Sequence, residues 1–441
     1  MHITVVGAGL AGCEAAWRIA NSGINVTLIE QKPGIMSEAH KSTMFAELVC
    51  SNSLKAERTA TAAGMLKEEM RRLNSICIEA AYTCKVPAGG ALAVDRDKFS
   101  QYITDKIRSH KNIEVVECEQ TDIPDGICII ATGPLTSDKM AESIKKLSGE
   151  EYLGFYDAAA PIVTADSIDM GKAFFASRYD RGGEEDYINC PFNRIQYEIF
   201  IEELISAERA KTSELDKRGV YEGCMPIEVL ASRGLDAPRF GPMKPVGLIN
   251  PSTGHRPWAN VQLRRENSEG TLYNIVGFQT NLKFGEQKRI FSLIPGLEKA
   301  EFVRYGVMHR NTFLNSPELL GCDLSLKRLP RLFFAGQITG VEGYMESAGI
   351  GIIAGINAVR RLRGENELFF PKDTMLGALV RHVVQSESKD FQPMGANLGI
   401  LPPLCYTVKD KRERYAAITE RGLRSFDRYA EENRINADLI G

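Results

Sequence analysis

The sequence predicts an α/β fold: a parallel-sheet domain interrupted by an inserted α+β domain and completed by the C-terminal third of the chain. Three observations predict it. A β-branched run, His2–Val6, enters a glycine turn and then a small-residue helix reaching about Ala20. A second apolar strand, Ile127–Ala131, ends in Thr132-Gly133. A third, Leu332–Ala335, ends on Gly336 and precedes another small-residue helix, Ser347–Leu362. Between the second and third, over about residues 155–270, the βαβ rhythm is lost. The expected boundaries are 1–155 for the first part, 156–275 for the insert, and 276–441 for the second part with its C-terminal helices.

The opening segment has a dinucleotide-binding pattern in full context. Gly7-Ala8-Gly9-Leu10-Ala11-Gly12 matches G-x-G-x-x-G between a strand and a helix. Gly7 permits the tight turn, Gly9 lets the backbone approach a pyrophosphate, and Gly12 lets helix and strand pack closely. A second strand, Asn25–Ile29, ends on Glu30, 18 positions after Gly12, where an acid accepts hydrogen bonds from a ribose diol. A purely structural glycine turn would leave Glu30 unexplained. Ala8, Leu10 and Ala11 inside the turn, and Gln31 and Lys32 after Glu30, complete the first set of cofactor-binding candidates. Thr132 and Gly133 suit a second close approach to a nucleotide, and Gly336 and Gln337 a third. Gly349-x-Gly351-x-x-Ala354 imitates the fingerprint, but it lies within a helix, so helix packing is the expectation there and no second dinucleotide domain.

The remaining elements follow from periodicity and turn chemistry. Ala63, Leu66, Met70 and Leu73 recur at helical spacing. Val86–Gly90 reads as a turn. Asp95 or Asp97 caps a helix carrying Phe99, Ile103 and Ile107, and Ile113–Cys118 reads as a strand. Phe192, Ile195, Ile199 and Ile205 suggest an amphipathic helix. Gly234–Trp258 is dense in Pro and Gly yet mixes apolar and basic residues, which points to ordered irregular backbone lining a site.

Composition narrows the function. The 441 residues suffice for two or three domains with a large core. A net charge of −3 excludes a globally basic nucleic-acid binder, though not a local basic face. The ten cysteines include no C-x-x-C pair and none at zinc spacing with histidine, so a metal site is not expected. No apolar run is long enough to span a membrane. The first strand begins at residue 2 and leaves no room for a signal peptide, so a cytoplasmic location is the expectation.

The fingerprint, the Ala131-Thr132-Gly133 strand end and the late strand–glycine–helix together resemble the flavoproteins of glutathione-reductase type. That implies a Rossmann-like FAD-binding domain, with FAD as the dinucleotide. More specific blocks are Glu47–Lys55 around Cys50, Gly223–Glu228 around Cys224, Arg239–Leu248, Gly277–Leu282, His309–Thr312 and Gly336–Tyr344. These resemble, nearly end to end, the folate- and FAD-dependent tRNA (uracil-5-)-methyltransferases, the TrmFO family, whose relatives modify wobble uridines. The resemblance implies 5-methyluridine formation at position 54 in the TΨC loop of tRNA. Methylenetetrahydrofolate would supply the carbon and reduced FAD the hydride. NADPH or NADH would reduce the flavin. It also implies that Gly343 and Tyr344 lie at the flavin.

Residue chemistry accords with that activity. Uracil C5 becomes nucleophilic only after a thiolate adds at C6, and a base must then remove the C5 proton. Cys50 precedes Ser51-Asn52-Ser53, good capping residues, so a helix N-terminus is expected beside it. Cys224 precedes Pro226, a favoured first-turn residue. By similarity Cys224 is the nucleophile and Cys50 the partner thiol, base or guard, and the two roles can be exchanged. His309, Arg310 and Tyr344 are candidates for the folate. Basic residues on the insert (Lys244, His255, Arg256, Arg264, Arg265) and near the C-terminus (Lys409, Lys411, Arg412, Arg414, Arg421, Arg424, Arg428) are candidates for tRNA, whose target uridine must flip out of its loop. A solvated helix face is the alternative for the second group. Two other functions stay open: a flavin-dependent thiol or NAD(P)H oxidoreductase, and a non-catalytic FAD-binding tRNA scaffold. The oligomeric state is unknown from sequence.

Overall fold

In the computed structural model, the described residues are all but 38, 149–152, 159, 181–182, 184–185, 211–224, 268, 307, 387–390, 392 and 437–441. The first domain is built on a six-stranded sheet. Its order is Ser325–Leu326, Leu329–Phe334, Cys128–Ile130, His2–Val6, Asn25–Glu30, Ile113–Glu117. Only the pair Ser325–Leu326 with Leu329–Phe334 is antiparallel. The three strands named from their sequence therefore lie side by side, with Val5 opposite both Leu28 and Ile129, and Ile129 opposite Phe333. Ile3, Val5, Ile129 and Phe333 are fully buried, as befits a parallel sheet covered on both faces.

Two helices close one face. Leu10–Asn21 and Tyr344–Arg363 pack against each other over small residues. A Cβ on Gly351 would stand 2.2 Å from the carbonyl oxygen of Ala11, and one on Gly12 would stand 1.8 Å from that of Gly7. The Gly349–Ala354 pattern lies in the middle of the second helix, as expected, and serves this approach. Glu69, buried, binds this core to another helix by accepting from the N–H groups of Met375 (2.7 Å) and Leu376 (2.8 Å) at the start of Met375–Gln385. Burial pushes its carboxyl up to about 8.

The insert carries a second, antiparallel six-stranded sheet, ordered Phe174–Phe175, Tyr187–Phe192, Ala259–Arg265, Leu272–Ile275, Ile162–Thr164, Phe302–Arg304. Its core runs from Val163 to Ala300 and includes Phe291, Ile294 and Leu297. The boundary expected at residue 275 thus falls inside this core. The helix Phe284–Phe291 and the edge strand Phe302–Arg304 pack back onto the insert's own sheet, and nothing in their local pattern announces that choice. Leu153–Ala158 and Met308–Phe313, which pair antiparallel, are the two passages between the cores.

The helix expected near 192–205 exists as Arg194–Ser206, started by a capping box between Asn193 and Gln196. Its buried face is different from the one the spacing suggested. Tyr197, Phe200, Ile201 and Leu204 are buried, whereas Ile195 and Ile199 are 70% and 50% exposed. Phe192 belongs to the preceding strand, so counting from it put the apolar stripe out of phase.

Gly351→Ala is expected to destabilise the protein by about 1–3 kcal/mol, because the added methyl meets backbone rather than a yielding side chain. The urea midpoint of the first domain measures it; an unchanged midpoint would show that the two helices do not need this close approach.

Candidate functional site

Every residue expected to bind the dinucleotide, except Gly12, lines one cavity of about 310 Å³. Gly7 through Ala11, Glu30, Gln31, Lys32, Thr132, Gly133, Gly336, Gln337, Gly343 and Tyr344 all face it, and so does Cys50. Gly12 is committed to packing.

The lining suits a pyrophosphate. Gly9 is the N-cap of Leu10–Asn21, with no capping side chain and no acid in the first turn. The first amides of that helix therefore offer unsatisfied donors and the positive end of its dipole. A Cβ built on Gly9 or on Gly133 would meet nothing within 4 Å, so the backbone is open to a ligand at both points. Glu30 accepts from the N–H of Ala8 (2.7 Å) through one oxygen and of Lys32 (3.0 Å) through the other, which fixes its carboxylate at the strand end. Each oxygen keeps a further lone pair for a ribose hydroxyl. The Lys32 ammonium turns elsewhere, donating to the carbonyls of Ser42 and Met44. Gly336, at φ +82°, brings the late strand end against Ala11, where a Cβ would stand 2.8 Å from the alanine methyl. The Gln337 amide donates to Glu342 at 2.7 Å. These residues fit a dinucleotide cofactor.

Cys50 does not precede a helix. Ser51 and Asn52 lead into the strand Ser53–Ala56, and the next helix, Ala62–Arg72, is capped by Thr61. The expected helix-terminus field is therefore not what acts on this thiol. Guanidinium groups surround its loop instead. Arg96 donates to the carbonyls of Leu48 (2.7 Å), Val49 (3.4 Å) and Cys50 (3.3 Å) and pairs with Glu266. Arg304 donates to the carbonyl of Val49. Arg264 donates to Asn52 Oδ1 (3.0 Å) and Ser51 Oγ (2.7 Å). The phenol oxygen of Tyr344 accepts from the N–H groups of Cys50 (2.6 Å) and Ser51 (3.0 Å).

Burial pulls the Arg304 guanidinium below its usual range, with Arg96 adding to the effect and Cys50 opposing it. Burial does the same to Arg264 and pushes the carboxyl of Glu266 and the phenol of Tyr344 up. Three guanidiniums face the single carboxylate of Glu266, so a thiolate at Cys50 would be held by a surplus of positive charge.

Cys224 lies outside the described residues. The chain beyond it is tied to the cavity: Ile227 N donates to the carbonyl of Gln279 (2.8 Å), and Gln279 lines the cavity. The buried Glu228 accepts from Thr280 Oγ1 (2.9 Å) and Asn281 N (2.7 Å), locking Ile227 and Glu228 to the 277–282 block. His309 and Arg310 lie on the strand Met308–Phe313, opposite Asp157 and Tyr156, and their side chains are outside the described residues.

Arg264, expected to meet tRNA, is buried against the Cys50 loop and is not on a docking face. Arg421 donates to the carbonyls of Pro402 (2.6 Å) and Pro403 (2.8 Å), a structural task. Sequence reasoning missed Arg96, Arg304, Glu266 and the Lys55–Glu346 pair (2.6 Å), which also lines the cavity. Only Asn52, inside the Cys-Ser-Asn-Ser block, hinted at the cluster.

Arg304→Met is expected to slow iodoacetamide alkylation of Cys50 at pH 7 about tenfold, because a nearby cation that favours the thiolate is lost. Peptide mass spectrometry of Cys50 across pH measures the shift, and Arg304→Lys should restore most of it. An unmoved profile in both variants would show that the cluster only holds backbone.

The family model described as glucose inhibited division protein A matches residues 2–366. The methylenetetrahydrofolate–tRNA-(uracil-5-)-methyltransferase TrmFO of Acetivibrio thermocellus is 56% identical over 432 residues, covering 98% of this chain and 99% of that protein. The TrmFO of Desulfitobacterium hafniense is 57% identical over 428 residues, with 97% and 98% covered. Among solved structures, Aquifex aeolicus GidA superposes with a TM-score of 0.69 at 15% identity, covering 99% of this chain and 75% of GidA, a likeness of fold. A cavity built from the three nucleotide-fold segments with Cys50 in its wall, and relatives matching from end to end, lead to one assignment: the chain belongs to the TrmFO family, within the wider glucose inhibited division protein A group.

Proposed function

We propose that the chain is a methylenetetrahydrofolate–tRNA-(uracil-5-)-methyltransferase that forms 5-methyluridine at position 54, in the TΨC loop. The observation that carries this reading is Cys50 opening into the same cavity as the fingerprint glycines and Tyr344. FAD, when bound and reduced, supplies the hydride that turns a one-carbon unit from methylenetetrahydrofolate into a methyl group. NADPH or NADH is the proposed source of the electrons.

The chain's own residues do the rest. Gly9 and the first turn of Leu10–Asn21 would hold the pyrophosphate, Glu30 the ribose, and the Gly336–Tyr344 segment the redox ring. The thiolate of Cys224 adds to uracil C6 and makes C5 nucleophilic. After C5 has taken the carbon, the thiolate of Cys50 removes the C5 proton, the electron pair left at C5 expels the carrier to give an exocyclic methylene, and addition of hydride to that carbon expels Cys224 from C6 and restores the ring. The two thiols can exchange these roles. Arg96, Arg264 and Arg304 hold the Cys50 loop and favour its ionised form. His309, Arg310 and Tyr344 are the proposed folate contacts. Among the described residues no helix is long and apolar enough to cross a membrane; the cytoplasmic location is proposed from the tRNA substrate.

Unmodified tRNA, labelled methylenetetrahydrofolate and NADPH should yield label in 5-methyluridine. Cys224→Ala and Cys50→Ala should each lower the rate by at least about a hundredfold, and one of them should abolish the covalent tRNA adduct. Label absent while NADPH drives disulfide reduction would replace this reading with a thiol oxidoreductase; full activity in both variants would remove the thiols from the mechanism.

A further inference from the structure

We propose that a cleft on the insert, distinct from the flavin cavity, stacks an unpaired nucleotide of the tRNA other than the reacting uridine. The proposal rests on the tRNA-methylating reading above. The cleft has a volume of about 920 Å³ and is formed by the start of the helix Arg194–Ser206 and the irregular segment before Ala259.

The first support is charge. From Ala237 to Arg265 the chain holds five Lys and Arg and no Asp or Glu, although the whole protein carries −3. Arg239, Lys244 and Arg256 from this run, joined by Arg194, line the cleft, and no carboxylate does. Lys244 and Arg256 are exposed and make no ion pair among the described residues. Such a lining complements phosphates.

The second support is flat surface held ready. The Arg239 guanidinium lies 3.8 Å from the ring centroid of Trp258, and that of Arg194 lies 5.4 Å from it. Arg239 also donates to the Trp258 carbonyl (3.0 Å) and pairs with Asp236 (2.7 Å). Beside this stack Phe240 is 84% exposed and lines the same cleft, which leaves its ring open to a planar ligand. Stacking on an aromatic face suits any base, and the Arg239–Trp258 pair gives the cleft a wall that is already ordered.

The third support is continuity with the chemistry. Arg178 donates to the carbonyl of Val246 (3.1 Å) and to Gln262 Oε1 (2.8 Å), anchoring the 239–248 block on the insert's sheet. Pro242 of that block packs on Gly277, where a Cβ would stand 2.7 Å from the proline ring. Gln279, two residues on, lines the flavin cavity. An RNA seated in the cleft is thereby referenced to the site of reaction.

Steady-state methylation and filter binding with the FAD-loaded enzyme and unmodified tRNA transcript test this. Phe240→Ala should raise both KM and Kd for tRNA roughly 5- to 20-fold, the effect falling on KM rather than kcat, with flavin content at the wild-type level. Phe240→Trp should restore binding. The double variant Lys244→Gln, Arg256→Gln should flatten the slope of log Kd against log salt by about 1.4, or about 0.7 per lost cation. Unchanged Kd and slope in these variants would overturn the proposal. So would an altered oligomeric mass with unchanged tRNA affinity, which would assign the patch to a protein contact. Wild-type enzyme that binds tRNA but forms no 5-methyluridine would defeat the functional reading while leaving the binding test intact.

Discussion

The chemistry proposed for this protein depends on how the loop carrying Cys50 is held. Residues Leu48 to Ser51 lie before the strand Ser53–Ala56, outside its ladder, so their polar backbone needs other partners. Side chains from distant segments take over: Arg96 from the first domain, Arg264 and Arg304 from the insert, and Tyr344 from the second half of the divided domain. Carbonyls face guanidiniums and N–H groups face a phenol oxygen. The Cys50 loop thus sits where three parts of the chain converge, and both cores must be folded before it is placed.

That convergence explains why the divided domain tolerates an insert. The two helices that close the nucleotide fold begin more than 300 positions apart in the chain, at Leu10 and Tyr344. They meet through Gly351 on Ala11, and Gly336 brings the late strand end to the same alanine. At Gly351 the missing side chain lets backbone stand against backbone, and at Gly336 it leaves room for the Ala11 methyl, so an added methyl would have nowhere to go at either contact.

Much of this was legible in the sequence. The three strand ends could be read because glycine at a strand end has few other uses, and Glu30 was marked by its distance from Gly12. The packing role of Gly349–Ala354 followed from its place inside a helix. The surroundings of Cys50 were not legible in this way. Capping chemistry at Ser51-Asn52-Ser53 suggested a helix, yet the pairing of Ser53 with Ala93 wins, a contact between segments forty residues apart. The insert's extent and the burial of Arg264 are likewise decided by tertiary packing, which local pattern does not encode. The phase error in Arg194–Ser206 shows how one residue belonging to a neighbouring strand can rotate an apparent stripe to the wrong side.

Leu153–Ala158 and Met308–Phe313 run side by side in register, from Leu153 opposite Phe313 to Ala158 opposite Met308. Exit and return therefore share one doorway, so parts of the insert remote from Arg264 and Arg304 can be lengthened, trimmed or exchanged in evolution without disturbing the ends it is grafted on. Recognition of new substrates can diversify on the graft while the redox half beneath stays constant.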